Sequence, residues 1–282
     1  MIRTTGTSGT GTSTASGTGT STASGDRAAA VLSANGLGHD YGERTVLGGV
    51  DFSVARGEFV CLVGPSGAGK TTLLRCLAGL QTPTRGWVEF ENVRITRPPR
   101  DVAVVFQDYS RSLLPWASVL DNVTLPLRSA GVRKAEARRR AHDALEAVGL
   151  ASADPTSYPW QLSGGMQQRV AIARAIACGP SLVLMDEPFA SVDAQTRADL
   201  EDLMRRLQTE MDLTVLLVTH DIDEAVYLSD RVVVLSGAPA TVSEVVDVPL
   251  GTTRDQLETK TLPAFAELRG HVYRLICRPG DD

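Results

Sequence analysis

Runs of apolar residues divide most of this chain into segments that predict strands. Alternating apolar runs near 46–54 and 58–63 predict two strands early in the chain. Three further runs, at 102–106, 182–185 and 214–218, contain four or five apolar residues in succession. Short uninterrupted apolar runs are typical of strands that are buried on both faces. The pattern therefore predicts buried strands as a main component of the fold.

Other segments carry the spacing of amphipathic helices. The segment 131–150 combines apolar positions with a solvated basic face, which predicts one helix or a helix pair. The stretch 170–177 is also compatible with a helix. Near the end of the chain, 263–275 places four apolar residues at helical spacing, namely Phe265, Leu268, Val272 and Leu275.

A glycine-rich loop joins the strand-like run 59–63 to the helix-compatible stretch 72–79. It matches G-x-x-x-x-G-K-[ST], the phosphate loop of nucleoside triphosphatases, in the strand–loop–helix context that the motif needs. Glycines allow backbone N–H groups to turn inward, and the helix start adds partial positive charge. We predict that Lys70 reaches the β- and γ-phosphates and that the Thr71 hydroxyl binds Mg²⁺, whereas the alternative is a turn with a solvated lysine. The loop consists of Gly64, Pro65, Ser66, Gly67, Ala68, Gly69, Lys70, Thr71 and Thr72.

A second loop of small residues runs directly into the predicted helix 170–177. Ser163 stands where an N-cap residue is expected, and Gly164 and Gly165 leave the following N–H groups uncovered. This segment is either a second anion-binding helix start or an ordinary capped helix. Its position upstream of the apolar run 182–185 favours the anion-binding interpretation.

Two carboxylates follow that apolar run, so we expect them at the end of a buried strand. Asp186 can hold Mg²⁺ directly or through water. Glu187 can accept the proton of an attacking water molecule.

The order of these motifs resembles the ATPase subunit of ABC transporters, over residues 31–236. That resemblance implies an α/β P-loop NTPase fold with a RecA-like core, an antiparallel β portion and a helical subdomain at about 111–177. Residues 237–282 would form a C-terminal extension. In this family, two copies form a head-to-tail dimer in which each signature loop caps the ATP on the other copy's phosphate loop. Since this chain has one loop of each kind, the resemblance implies that it needs a second copy of itself.

The resemblance also implies roles for four further residues. Tyr41 would lie under the adenine, where a ring offers a stacking face, although it could be a turn residue. Gln107 would reach Mg²⁺ and the attacking water, an assignment that depends on the family order. His220 would contact the γ-phosphate, although a histidine at a strand end is often only a polar cap. Asp193, in a loop that departs modestly from the family pattern, would communicate across the dimer.

Composition is consistent with these expectations. The chain has 282 residues, 43% of them hydrophobic, and a net charge of −5, which gives no general attraction to nucleic acid. Its four cysteines have no metal-ligand spacing and predict reduced thiols. Residues 1–25 form a Ser/Thr/Gly-rich tail that predicts disorder and lacks the apolar region of a secretory signal. No apolar stretch approaches the length of a membrane span, so we expect a peripheral protein at the cytoplasmic face of the cell membrane.

The segment around Trp116 bears on the transported substrate. The run 113–116, with 119–123 after it, resembles the ATPases of nitrate, sulfonate and taurine importers. In that family the region meets the transmembrane permease subunits, although Trp116 could instead pack between subdomains. The resemblance implies ATP-driven import of such an anion, together with a periplasmic or lipoprotein solute-binding protein. The alternatives are an importer of another small solute and a soluble ABC ATPase.

Overall fold

The computed structural model describes residues 30–107 and 112–277. The first four strands outside the central sheet form an antiparallel sheet. The predicted tail at 1–25 lies outside the described residues. The strand order is β2-β1-β4-β5, so the first two strands pair as a long hairpin and β4 adds to its other edge. This sheet confirms the predicted antiparallel β portion. Its strands are β1 Ala30–Tyr41, β2 Arg44–Ala55, β4 Arg85–Phe90 and β5 Val93–Arg94.

A six-stranded sheet forms the centre of the molecule, in the order β10-β9-β3-β8-β7-β6. Every neighbouring pair is parallel except β9 and β10. All residues of β3, β7 and β8 are buried, which explains why these strands appear as uninterrupted apolar runs. The strands are β3 Phe59–Val63, β6 Val102–Val105, β7 Leu182–Asp186, β8 Thr214–Val218, β9 Arg231–Ser236 and β10 Thr241–Asp247.

Helices cover both faces of this sheet. The segment 131–150 contains one helix, α3, rather than a pair. None of the helices in the described residues is long and apolar enough to cross a membrane. The α-helices that lie entirely within the described residues are α1 Lys70–Leu77, α2 Val119–Ser129, α3 Lys134–Ala147, α4 Gly164–Ile176, α5 Ala194–Met211, α6 Ile222–Leu228, α7 Glu258–Thr261 and α8 Pro263–Ile276.

The alternation of side chains along the buried strands produces two hydrophobic clusters, one on each face. In β3, Val60 and Leu62 join a cluster that contains α1 and the antiparallel sheet. Cys61 and Val63 join the other cluster, which contains the inner sides of α2 to α6 and of α8. Packing on both faces of the sheet therefore fixes the positions of the strand ends relative to α1.

Residues 237–277 are part of this architecture. β10 pairs with β9 and so extends the six-stranded sheet. α8 packs against α6 and β9 through its buried face. Phe265, Val272 and Leu275, which the sequence placed on one helical face, are all buried.

Candidate functional site

The predicted phosphate-binding and catalytic residues follow the carboxyl ends of four adjacent parallel strands. β3 runs into the phosphate loop, β6 is followed by Gln107, β7 ends at Asp186, and His220 comes shortly after β8. Because parallel strands end at the same edge of a sheet, these residues meet at one edge. The register supports this, since Asp186 is opposite Val218 at the ends of β7 and β8.

The phosphate loop needs glycine where the chain turns tightly against β2. Gly69 has φ of +84°, and a Cβ atom there would lie 2.5 Å from Cγ1 of Val46. A side chain at this position would therefore meet both backbone strain and a steric clash. Gly67 also has a positive φ, of +78°, in the exposed part of the loop. With these turns, α1 begins directly at Lys70.

Lys70 is held inside the loop. Its side chain is only 7% exposed, and Nζ donates hydrogen bonds to the carbonyl oxygens of Gly64 at 2.8 Å and Pro65 at 3.0 Å. Burial lowers the pKa of Lys70, and the carboxylates of Glu187 and Asp186 oppose that shift. The ammonium group of Lys70 is therefore fixed inside the loop, where it can bind an anion.

Thr71 and Asp186 bring two oxygen ligands together. The Thr71 hydroxyl donates to Oδ1 of Asp186 at 3.4 Å. Burial raises the pKa of Asp186, the bond from Thr71 lowers it, and the charge of Glu187 raises it. Hard oxygen donors are the ligands that Mg²⁺ prefers, and a cation would offset the burial of this carboxylate. The two residues thus fit the predicted metal role, which stays a prediction.

Glu187 is the point where the three predicted catalytic residues meet. Its Oε2 accepts a hydrogen bond from Nε2 of Gln107 at 3.1 Å and lies 3.1 Å from Nδ1 of His220. Glu187 has φ of +42°, a left-handed conformation that is strained for a residue other than glycine. Its backbone N–H donates to the carbonyl oxygen of Val218 at 2.8 Å, which fixes the strained residue to β8.

Tyr41 is the last residue of β1 and stands beside the first turn of α1. Its hydroxyl lies 3.4 Å from Oγ1 of Thr72 and bonds the side chain of Gln81. The ring is 49% exposed and meets the ring of His39 edge-on at 4.7 Å. An exposed ring at this position can stack on a base, which is the role that the family resemblance implies.

A pocket of about 450 Å³ lies beside the phosphate loop, with walls that the sequence did not point to. Part of its lining comes from the start of β2, and part from the turn between β9 and β10. These two segments join where the backbone N–H of Ala240 donates to the carbonyl oxygen of Val46 at 2.9 Å. The lining residues outside the phosphate loop are Arg44, Thr45, Val46, Gly237, Ala238, Pro239 and Ala240.

The second loop packs against the start of α5, the helix that Asp193 caps. Oγ of Ser163 accepts from the backbone N–H of Met166 at 3.3 Å, so Ser163 caps α4 as predicted. A Cβ atom on Gly165 would lie 2.4 Å from Cγ2 of Thr196, in the first turn of α5. In the described residues no hydrogen bond joins the loop of Ser163, Gly164 and Gly165 to the phosphate loop.

Trp116 belongs to an exposed loop with a rigid base. The side chain is 75% exposed, which contradicts the alternative that it packs between subdomains. Asn122, fully buried in α2, accepts from the backbone N–H of Leu114 at 2.8 Å and donates to three carbonyl oxygens of the loop. The stacked rings of Tyr158 and Trp160 add further exposed aromatic surface.

The family profile described as ABC transporter matches residues 47–190. An uncharacterized ABC transporter ATP-binding protein of Methanocaldococcus jannaschii is 46% identical over 230 residues, which cover 82% of this chain and 84% of that protein. The nitrate import ATP-binding protein NrtD of Synechococcus elongatus is 42% identical and covers 81% of this chain and 84% of its own length. The bicarbonate transport ATP-binding protein CmpD of Synechocystis sp. is 41% identical, with 82% of each chain covered. This chain therefore belongs to the ABC transporter family of ATP-binding proteins.

A solved structure extends the comparison to the fold. It is a dimeric ATP-binding cassette in a post-hydrolysis state, bound to ADP and Pi. It superposes with a TM-score of 0.67 at 32% identity, and covers 77% of this chain and 98% of its own. The predicted fold class and the predicted ATPase activity are thereby confirmed.

Proposed function

We propose that this chain is the ATP-hydrolysing subunit of an importer for a small anion such as nitrate, an aliphatic sulfonate or taurine. The observation that carries the hydrolytic part is the convergence of Gln107 and His220 on one oxygen of Glu187. The same sheet edge holds Lys70 and the oxygens of Thr71 and Asp186. Nucleotide-binding and hydrolytic groups are thus supplied by one set of strand ends.

Each residue at this edge, and Tyr41 beside α1, has a role that its position supports. Lys70 and the N–H groups of the loop bind phosphate oxygens, while Tyr41 stacks under the base. Thr71, Gln107 and Asp186 hold Mg²⁺, which when bound neutralises charge on the phosphates. Glu187 takes the proton from the attacking water, whose position Gln107 and His220 help to fix.

The importer part of the proposal is supported by the relatives and by the exposed loop of Trp116. NrtD is a nitrate import protein and CmpD a bicarbonate transport protein, so anions are the substrates named among these relatives. Large aromatic side chains at the centre of a protein contact are common anchors. We therefore propose that the aromatic loop binds permease subunits at the cytoplasmic face of the membrane, and that a solute-binding protein delivers the anion to them.

The hydrolytic assignment predicts the effect of Glu187→Gln. Because the amide cannot accept the proton, turnover of the purified protein should fall by roughly 10²–10⁴-fold while ATP binding remains. Lys70→Ala should instead weaken ATP binding, since it removes a phosphate contact. Glu267→Gln, at an exposed position of α8, is the matched control and should behave as wild type. Steady-state hydrolysis by Glu187→Gln at a wild-type rate would contradict the proposed base.

The importer assignment predicts separable effects of Trp116→Ala. The isolated subunit should keep its basal hydrolysis, because Trp116 lies on an exposed loop. Uptake of labelled anion in a strain lacking the gene should be restored by the wild type and much less by Trp116→Ala, since a central aromatic anchor typically contributes about 2 kcal/mol or more. Leu257→Ala, which removes another highly exposed apolar side chain, is the control. If the deletion strain takes up nitrate, bicarbonate, taurine and aliphatic sulfonates normally, with no paralogue present, the proposed substrate class is wrong.

A further inference from the structure

Arg197 stands one helical turn into α5 and is tied to the start of that helix. Asp193 caps α5, since its Oδ1 accepts from the backbone N–H of Thr196 at 3.0 Å. The backbone N–H of Arg197 donates to the carbonyl oxygen of Asp193 at 2.9 Å. Arg197 must therefore follow any movement of this helix start.

The guanidinium of Arg197 reaches across to the start of α6. Its Nη1 donates to Oδ2 of Asp221 at 3.1 Å. The other oxygen of Asp221, Oδ1, caps α6 by accepting from the backbone N–H groups of Asp223 at 2.9 Å and Glu224 at 3.2 Å. One carboxylate thus joins the starts of two helices. Both side chains of the ion pair are about one-third exposed, so the pair contributes little to the free energy of unfolding. Its main effect is on the relative position of the two helix starts.

His220 directly precedes this carboxylate and is held between two fixed points. On one side, the backbone N–H of Thr219 donates to the carbonyl oxygen of Leu62 in β3 at 3.1 Å. On the other side, Asp221 binds Thr219 through its backbone and Arg197 through its side chain. Between these points the His220 ring lies 3.1 Å from Oε2 of Glu187.

We propose that Arg197 is a positioning residue for ATP hydrolysis, which holds His220 beside Glu187 through Asp221. The start of α5 then controls the geometry of the hydrolytic centre. That helix start also contacts the second loop, since Thr196 packs so closely on Gly165 that no Cβ atom would fit between them. The surface that would meet the nucleotide of a second copy is therefore linked mechanically to His220 of the same chain. This inference rests on the roles proposed above for Glu187 and His220.

The test compares Arg197→Ala, Arg197→Lys and Asp221→Asn in the purified full chain. An asparagine can still cap α6, so Asp221→Asn removes the ionic partner of Arg197 with little effect on the helix. We expect Arg197→Ala and Asp221→Asn to lower kcat by about 10- to 100-fold, as small misplacements of catalytic groups do. KM for ATP and ATP binding should stay within about twofold of wild type, because the link acts on the hydrolytic step and not on nucleotide binding. Arg197→Lys should recover part of kcat, because a lysine can still bind the carboxylate of Asp221.

Two comparisons decide the outcome. The double variant Arg197→Ala/Asp221→Asn should be no slower than the slower single variant, because both changes break one link. Arg269→Ala, which removes the exposed ion pair of Asp223 at the same helix start, should retain wild-type kcat. The proposal is overturned by a kcat of Arg197→Ala and Asp221→Asn within about twofold of wild type, by effects that multiply in the double variant, or by a parallel loss of ATP binding. An active Glu187→Gln variant would instead remove the proposed function on which the inference rests.

Discussion

Glu224 is a carboxyl group buried behind the hydrolytic centre, and its environment disfavours the charged form. The residue is 4% exposed, and its Oε1 has no hydrogen-bond partner among the described residues. Burial raises the pKa of Glu224 well above its usual value, and the charges of Glu201 and Asp221 raise it further. Thr219 and Arg197 act in the opposite direction but do not cancel the shift.

The raised pKa of Glu224 has a defined consequence for stability. Above the usual pKa of a glutamate, the unfolded chain has lost this proton whereas the folded chain still holds it. Unfolding therefore releases a proton, and the contribution of Glu224 to the free energy of unfolding falls as pH rises. The loss begins near pH 4.5, the ordinary value, and continues up to the raised pKa.

We predict that Glu224→Gln removes this pH dependence, because the amide has no proton to lose. Thermal unfolding at pH 5, 6, 7 and 8 should show a Tm of the variant that increasingly exceeds the wild-type value as pH rises. The exposed variant Glu267→Gln should show no such trend. A difference in Tm between Glu224→Gln and wild type that is constant over this range would refute the raised pKa.

At the scale of elements, the sequence predicts the apolar strands and the amphipathic helices at 131–150, 170–177 and 263–275, but misses β1 and α5. β3, β7 and β8 appear as apolar runs because both of their faces are buried in the core, and the edge strand β6 keeps an apolar run although only Val105 of it is fully buried. β1 was not predicted, since Ser33, Asn35 and Gly36 interrupt its apolar positions and Gly36 adopts φ of +55° at an irregular pairing. α5 was not predicted either, although its buried residues Leu200, Leu203, Met204 and Leu207 recur at helical spacing and could have indicated it.

In the candidate site, the sequence predicts the residues of local motifs but not the contacts between distant segments. Lys70, Asp186 and Glu187 lie in local motifs, so the sequence alone points to them. The pocket wall at Val46 depends on a backbone bond to Ala240, and the link from Arg197 spans 24 residues to Asp221. Such contacts between distant segments leave no periodic trace in the chain, and only the three-dimensional structure brings them together.

At the scale of the whole molecule, the predicted functional residues form two groups that no hydrogen bond joins within the described residues. Phosphate loop, carboxylates and His220 share one sheet edge, whereas Ser163 and the cap of α5 form the other group. Ser163 and Asp193 are both exposed. The solved relative with ADP and Pi is dimeric. We propose that a second copy, arranged head to tail, brings its Ser163, Gly164 and Gly165 to the ATP on this chain's Lys70.

This arrangement predicts that ATP controls association. Glu187→Gln, which binds ATP without turning it over, should form a dimer in ATP and Mg²⁺ and be mainly monomeric without nucleotide, as measured by light scattering. Adding Ser163→Arg to this variant should keep the protein monomeric with ATP binding intact, because a long side chain on the exposed Ser163 obstructs the partner's site and not its own. Loss of the N-cap costs α4 about 1 kcal/mol, so circular dichroism must show that the double variant is folded. If Glu187→Gln binds ATP and remains a monomer at concentrations well above those used for hydrolysis, the head-to-tail dimer is wrong, whereas the assignment of this chain to the ABC family is unaffected.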